Sequence, residues 1–223
     1  MDILVIGEQK NFNECREKFG KDHQYTWLGE HRDFEGFLDQ KDLVFDFTID
    51  QDPYSIEEYA KNNVKVFFNT CMISLAELAN LDNPPFKCTL FGFNGMPTFL
   101  TQPVMEVSLW KKEDQPELEK ACRLLNTKFA IVDDRVGLVT PRVISMIINE
   151  AYYTVQEGTA TREDIDKAMK LGTNYPYGPF EWCNRIGVQY VYELLEALFE
   201  ETKDERYKIC ALLKKDYLKH HQI

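Results

Sequence analysis

Short, strand-like apolar stretches recur through the first 134 residues. They are Ile3–Ile6, Tyr25–Leu28, Leu43–Thr48, Val64–Phe68, Cys88–Phe91, Met105–Trp110 and Phe129–Val132. Several are continuous rather than alternating, the pattern of strands covered on both faces. Between them lie stretches with helical spacing, among them Asn13–Phe19, Ile56–Asn62, Ser74–Ala79 and Glu117–Leu125. Pro116 stands where a first helical turn accepts proline. Strand alternating with helix predicts an α/β Rossmann-like domain with a mainly parallel sheet over residues 1–134.

The pattern then changes to helix alone, predicting an all-α helical domain over 135–223. Thr140-Pro141 reads as a helix start, with a hydroxyl cap followed by proline. Ile144, Ile147, Ile148, Ala151, Tyr152 and Val155 follow on one face. Thr161 with Asp164 forms a second start, and Leu171-Gly172 the expected stop. The turn cluster Asn174-Tyr175-Pro176-Tyr177-Gly178-Pro179 precedes a short helix. Further stripes are Val191, Leu194, Leu195 and Leu198, then Ile209 to Leu213.

Charge narrows the partners. The net charge of −11 excludes nucleic acid, which needs a basic face. Residues up to Asp134 hold 24 acidic and 14 basic side chains, so the acidity sits almost wholly in the first domain. The six cysteines form no C-x-x-C pair, which predicts buried, reduced thiols and no zinc site. No apolar run is long enough to span a membrane and no leader pattern opens the chain, so a cytoplasmic protein is expected.

The first strand runs into Gly7, a strand-to-glycine turn of the kind that holds a dinucleotide pyrophosphate. The fingerprint G-x-G-x-x-G is incomplete, however, because Gln9 and Phe12 occupy its second and third glycine positions. A side chain at the second position is expected to crowd the pyrophosphate. At the end of the second strand stands Gly29, with Glu30 the nearest carboxylate.

The segments Gly137–Val155 (GLVTPRVISMIINEAYYTV) and Glu163–Trp182 (EDIDKAMKLGTNYPYGPFEW), with Ile186-Gly187, resemble the carboxy-terminal domain of 3-hydroxyacyl-CoA dehydrogenases. The form N-Y-P-x-G-P-x-E-W is most similar to the second of the tandem helical domains of some bacterial members. In the first half, Asp42–Phe47 resembles the family's D-L-V-x-E-A strand, and Phe68–Ile73 its S-N-T-S-S-L turn. Phe91–Asn94 leading to Glu106-Val107 resembles its G-x-H to E-V segment. Only about 15 residues separate Leu28 from Leu43, where the family inserts a long helical hairpin, so the domain looks shortened.

The resemblance implies NAD as cofactor, an acyl-CoA ligand, fatty acid metabolism and a homodimer through the helical domain. It implies a catalytic histidine, a glutamate orienting it, and serine and asparagine holding substrate. Asn94 stands at the histidine position, Glu106 at the glutamate, Cys71 at the serine and Pro141 at the asparagine. No histidine lies between residues 32 and 219, since the four are His23, His31, His220 and His221. A carboxamide has no usable basicity. Glu106 reaches substrate or merely ends a strand. Cys71 is a buried structural thiol or, with a lowered pKa, a nucleophile. Asn94-Gly95 is also a good turn dipeptide. Tyr175, Tyr177, Phe180 and Trp182 read as core or interface rather than a ligand cage.

Three readings stay open. One is a homologue with lost or strongly weakened dehydrogenase activity that persists as an acyl-CoA-binding or interaction subunit. Another is an active oxidoreductase with a rearranged site. The last is a non-catalytic dimerising subunit.

Overall fold

Seven of the apolar runs become seven strands of one sheet. They are β1 (Asp2–Ile6), β2 (Gln24–Leu28), β3 (Leu43–Asp46), β4 (Lys65–Asn69), β5 (Thr89–Phe93), β6 (Val104–Leu109) and β7 (Lys128–Ile131). The computed structural model describes residues 1–29, 34–81 and 85–220. The spatial order is β2-β1-β3-β4-β5-β6-β7, and every pair is parallel except β5 with β6. Because β2 and β3 flank β1 on opposite sides, the winding reverses between β1 and β3. The carboxyl ends of strands at such a reversal are where open α/β sheets bind ligands.

Side-chain alternation divides the core into two layers. Ile3, Val5, Leu43, Phe45, Phe67, Phe91, Phe93, Met105 and Val107 pack with residues of helices α1 (Gln9–Phe19) and, beyond β6, Gln115–Leu124. Leu4, Ile6, Val44, Val66, Phe68 and Leu90 pack with α2 (Glu35–Leu38), α3 (Ile56–Ala60) and α4 (Leu75–Leu81). The helix Gln115–Leu124 is α5. Phe45, Phe67 and Phe91 are direct neighbours on β3, β4 and β5. Their ring centroids are 4.8 and 4.9 Å apart, with Phe19 stacked on Phe45 at 5.0 Å. Burial on both faces explains why these strands read as continuous apolar runs.

Three elements differ from the sequence expectation. Helix α1 starts at Gln9 rather than Asn13, so its first turn absorbs the segment that should cradle a phosphate. Strand β3 stops at Asp46, whose Oδ1 accepts the Thr48 backbone N–H at 2.9 Å and turns the chain out of the sheet. The one-turn helix α2 is too short for periodicity to reveal.

The chain divides into two compact units, Met1–Leu138 and Val139–Ile223. The second unit holds α6 (Thr140–Gln156), α7 (Arg162–Thr173), α8 (Pro179–Ile186), α9 (Val188–Thr202) and α10 (Ala211–His220). Its core includes Ile144, Ile148, Tyr152, Phe180, Val191, Leu194, Leu195 and Leu198. The Thr161 hydroxyl accepts the Asp164 N–H at 3.2 Å, as a first-turn cap should. Helix α7 continues through Gly172 and ends at Asn174, which adopts left-handed φ of 56°. The stop is therefore two residues later than Leu171-Gly172 suggests, because asparagine supplies the left-handed terminator.

Buried polar side chains fix the remaining joints of this unit. Asn149, on α6, donates to the Lys208 carbonyl and accepts the Cys210 N–H, both at 2.9 Å, which positions the start of α10. Asp166, on α7, accepts the N–H groups of Phe180 and Glu181 at 2.8 and 3.1 Å and so caps α8.

Candidate active site and dinucleotide turn

The carboxyl ends of β3, β4 and β5 are tied together by one carboxamide. Asn69 Oδ1 accepts the N–H of Gly95 at 3.0 Å and of Cys71 at 3.4 Å, while its Nδ2 donates to the Phe47 carbonyl at 3.4 Å. Gly95 must approach closely, since a Cβ there would lie 2.8 Å from the Asn69 side chain. This turn drives Asn94 inward, where it is 5% exposed. Asn94 Oδ1 accepts the Met96 N–H at 3.3 Å and the Cys71 thiol at 3.5 Å. Its backbone N–H donates to the Glu106 carbonyl at 3.3 Å.

The structure thus brings Cys71, Asn94 and Glu106 into one neighbourhood. Glu106 is half-buried on β6, opposite the end of β5. The Cys71 thiol is fully buried, and burial pushes its pKa up from about 9 to about 12, with the Glu106 and Asp50 charges adding to the rise. It is a neutral thiol near pH 7, the opposite of an activated nucleophile. The turn dipeptide and the inward carboxamide prove to be one feature. All six cysteines are buried and unpaired as disulfides. Among the described residues no cluster of metal-binding side chains occurs.

Sequence reading missed two anchors of this neighbourhood. Asn69 is one, visible only as the asparagine of Phe68-Asn69-Thr70. Asp134 is the other. Its two carboxylate oxygens each accept, at 2.9 Å, a first-turn N–H of α4, from Leu75 and Ala76. The Gly137 N–H then donates to the Cys71 carbonyl at 2.9 Å.

The turn after β1 was tested against a dinucleotide. Gly7 has φ of 145°, a conformation that favours glycine. Its N–H donates to the Leu28 carbonyl at 3.0 Å, and its own carbonyl accepts the Trp27 indole N–H at 2.8 Å. Asn11 Oδ1 accepts the Glu8 N–H at 2.9 Å and lies 2.9 Å from where a Gly7 Cβ would stand. Phe12 packs against Tyr25 and Trp27, with centroids 6.1 and 6.0 Å away. Glu8 places an exposed carboxylate at the start of α1, 3.2 Å from Lys10.

A pyrophosphate needs close backbone approach here, unclaimed N–H donors and no competing anion. The residues present do not fit it. The exposed Gln9 side chain bonds Asn13 along the helix at 3.3 Å, and Asn11 lies over Gly7. Gly29 follows β2 with open space around it, while Glu30, His31 and His221 lie outside the described residues.

In the helical unit Pro141 is buried at the first turn of α6 and offers no polar side chain. An apolar groove of about 590 Å³ runs between α6 and α7, lined in part by Val143, Met146, Ile147, Ile165 and Met169. Of the aromatic cluster, Phe180 is core. Tyr175 and Tyr177 pack on the half-exposed Trp182, at 5.6 and 6.2 Å.

Comparison with known proteins gives a consistent picture. Residues 137–221 match the family model described as "3-hydroxyacyl-CoA dehydrogenase, C-terminal domain". The 3-hydroxyadipyl-CoA dehydrogenase of Escherichia coli K12 is 46% identical over 83 residues, 37% of this chain and 18% of that protein. The 3-hydroxybutyryl-CoA dehydrogenase of Clostridioides difficile is 30% identical over 174 residues, 77% of this chain and 62% of the relative. The chain thus spans less than two thirds of the length of either. The crystal structure of Mycobacterium tuberculosis FadB2 superposes with a TM-score of 0.78 at 18% identity, over 99% of this chain and 94% of that one. That likeness concerns the fold.

Proposed function

The chain belongs to the 3-hydroxyacyl-CoA dehydrogenase family, and from that membership we propose that it binds an acyl-CoA thioester while its NAD-dependent dehydrogenase activity is lost or strongly weakened. One observation carries the reading. By resemblance Asn94 stands at the family's proton-acceptor position, and its buried carboxamide oxygen accepts the Met96 N–H and the Cys71 thiol. A carboxamide cannot take the hydroxyl proton of a 3-hydroxyacyl substrate. Loss of a positioned general base forfeits about 10² to 10⁴ in rate. No step through NAD is derived, because the turn after β1 does not fit its pyrophosphate.

The proposed setting is fatty acid metabolism in the cytoplasm, with the chain paired as a homodimer through its helical unit. The groove beside α6 supports that pairing. Val143 is 52% exposed at its edge, and such a groove stays wet in a monomer.

Thermal unfolding with acetoacetyl-CoA, free CoA, NADH and NADPH tests the proposal. Acetoacetyl-CoA at 100 times its Kd should add about 2.7 kcal/mol of apparent stability. The nicotinamide dinucleotides should add none. No shift with any acyl-CoA, or a shift together with redox turnover, contradicts it.

A further inference from the structure

We infer that Asn11, rather than the missing glycines, closes the dinucleotide turn, so that restoring glycine at positions 9 and 12 alone does not reopen it. The inference rests on the reading above only in taking the turn after β1 as an inherited nucleotide site.

The geometry separates the three side chains of this segment. Gln9, at the second glycine position, is exposed and bonded to Asn13 along the outside of α1. It leaves the space over Gly7 unobstructed. Phe12, at the third, packs sideways against Tyr25 and Trp27 and forms a wall, with the Arg16 guanidinium 5.6 Å from its ring centroid. Asn11 is 6% exposed and reaches back across the turn. Its Oδ1 is 2.9 Å from the Glu8 nitrogen and 2.9 Å from the Cβ position of Gly7.

The oxygen therefore performs the two tasks that a bound phosphate oxygen performs at a helix N-terminus. It accepts the backbone N–H of Glu8, the residue that precedes α1, and fills the close approach that glycine leaves open. Other backbone groups of this turn have partners too. Gly7 gives its N–H to Leu28 and takes the Trp27 indole proton, and Asn11 and Phe12 donate to the Glu8 carbonyl at 3.0 and 3.3 Å. A carboxamide attached to the helix competes as an internal ligand, without the entropy loss of a free molecule.

The test is a titration of NADH fluorescence against three proteins: wild type, Q9G/F12G, and Q9G/F12G with N11A. The wild type and the double variant should show no saturable enhancement, and the triple variant should show one. Binding by the wild type, equal binding by the double and triple variants, or no binding by a folded triple variant overturns the inference. Should the glycine variants fail to fold, amide hydrogen exchange decides the matter. The Glu8 N–H should exchange about tenfold faster in N11A than in the wild type, and equal rates overturn the internal bond. NADH binding by the wild type without turnover would sink this inference and leave the assignment of Asn94 standing. Failure to bind acyl-CoA would sink the acyl-CoA reading and leave this inference standing.

Discussion

At the scale of single residues, the neighbourhood of Asn94 is buried, and its inward groups carry no charge near pH 7. Asn94, Cys71 and Glu106 stand together as the resemblance implies, but the two inward groups, Asn94 and Cys71, are neutral. The pairing of Cys71 with Asn94 has a pH consequence. A thiol whose folded pKa is raised from about 9 to about 12 contributes stability fully below its ordinary value and loses it as pH rises toward the folded one. Denaturant unfolding of wild type and C71A should therefore differ in slope on the alkaline side above pH 9, the variant being flatter. Identical slopes would mean that Cys71 is not held neutral by burial. Asn94 was legible in sequence because Gly92 and Glu106-Val107 fix its register. Asn11 and Asn69 were not, since their roles depend on distances across a turn that residue type does not encode.

At the scale of elements, the central strands β1, β3, β4 and β5 announced themselves because burial on both faces favours continuous apolar runs. Helix ends were harder. The start of α1 carries no hydroxyl cap, and α7 runs past its glycine to Asn174. The motif Gly178-Pro179-Phe180-Glu181 has a physical reason that only the fold supplies. Asp166 caps α8 from the neighbouring helix, and a Cβ on Gly178 would collide with the Asp166 backbone. D166A leaves two first-turn N–H groups without that acceptor and should destabilise the protein by about 2 kcal/mol. Urea unfolding measures this, with D166N as the milder control. A change within 0.5 kcal/mol for D166A, the range of ordinary surface substitutions, would show that water replaces the cap.

At the scale of the whole molecule, the two units carry different burdens. Acidic charge gathers in the first, whereas the second matches the family's helical domain and holds an apolar groove. That contrast was readable early, because composition and periodicity both change near residue 134. The partner was not readable, since an amphipathic stripe does not say what covers it. In the proposed homodimer, sedimentation should give twice the chain mass, and M146D, which sets a charge in the groove, should give the monomer. A monomeric wild type would remove the helical pairing from the account.

The central claim is that the amide of Asn94, at the place of the proton acceptor, leaves the chain without effective dehydrogenase chemistry. The most direct measurement is NADH formation by the pure wild-type protein supplied with 3-hydroxybutyryl-CoA and saturating NAD. The account predicts a rate indistinguishable from the protein-free control. Sustained NADH formation that scales with protein concentration would contradict it.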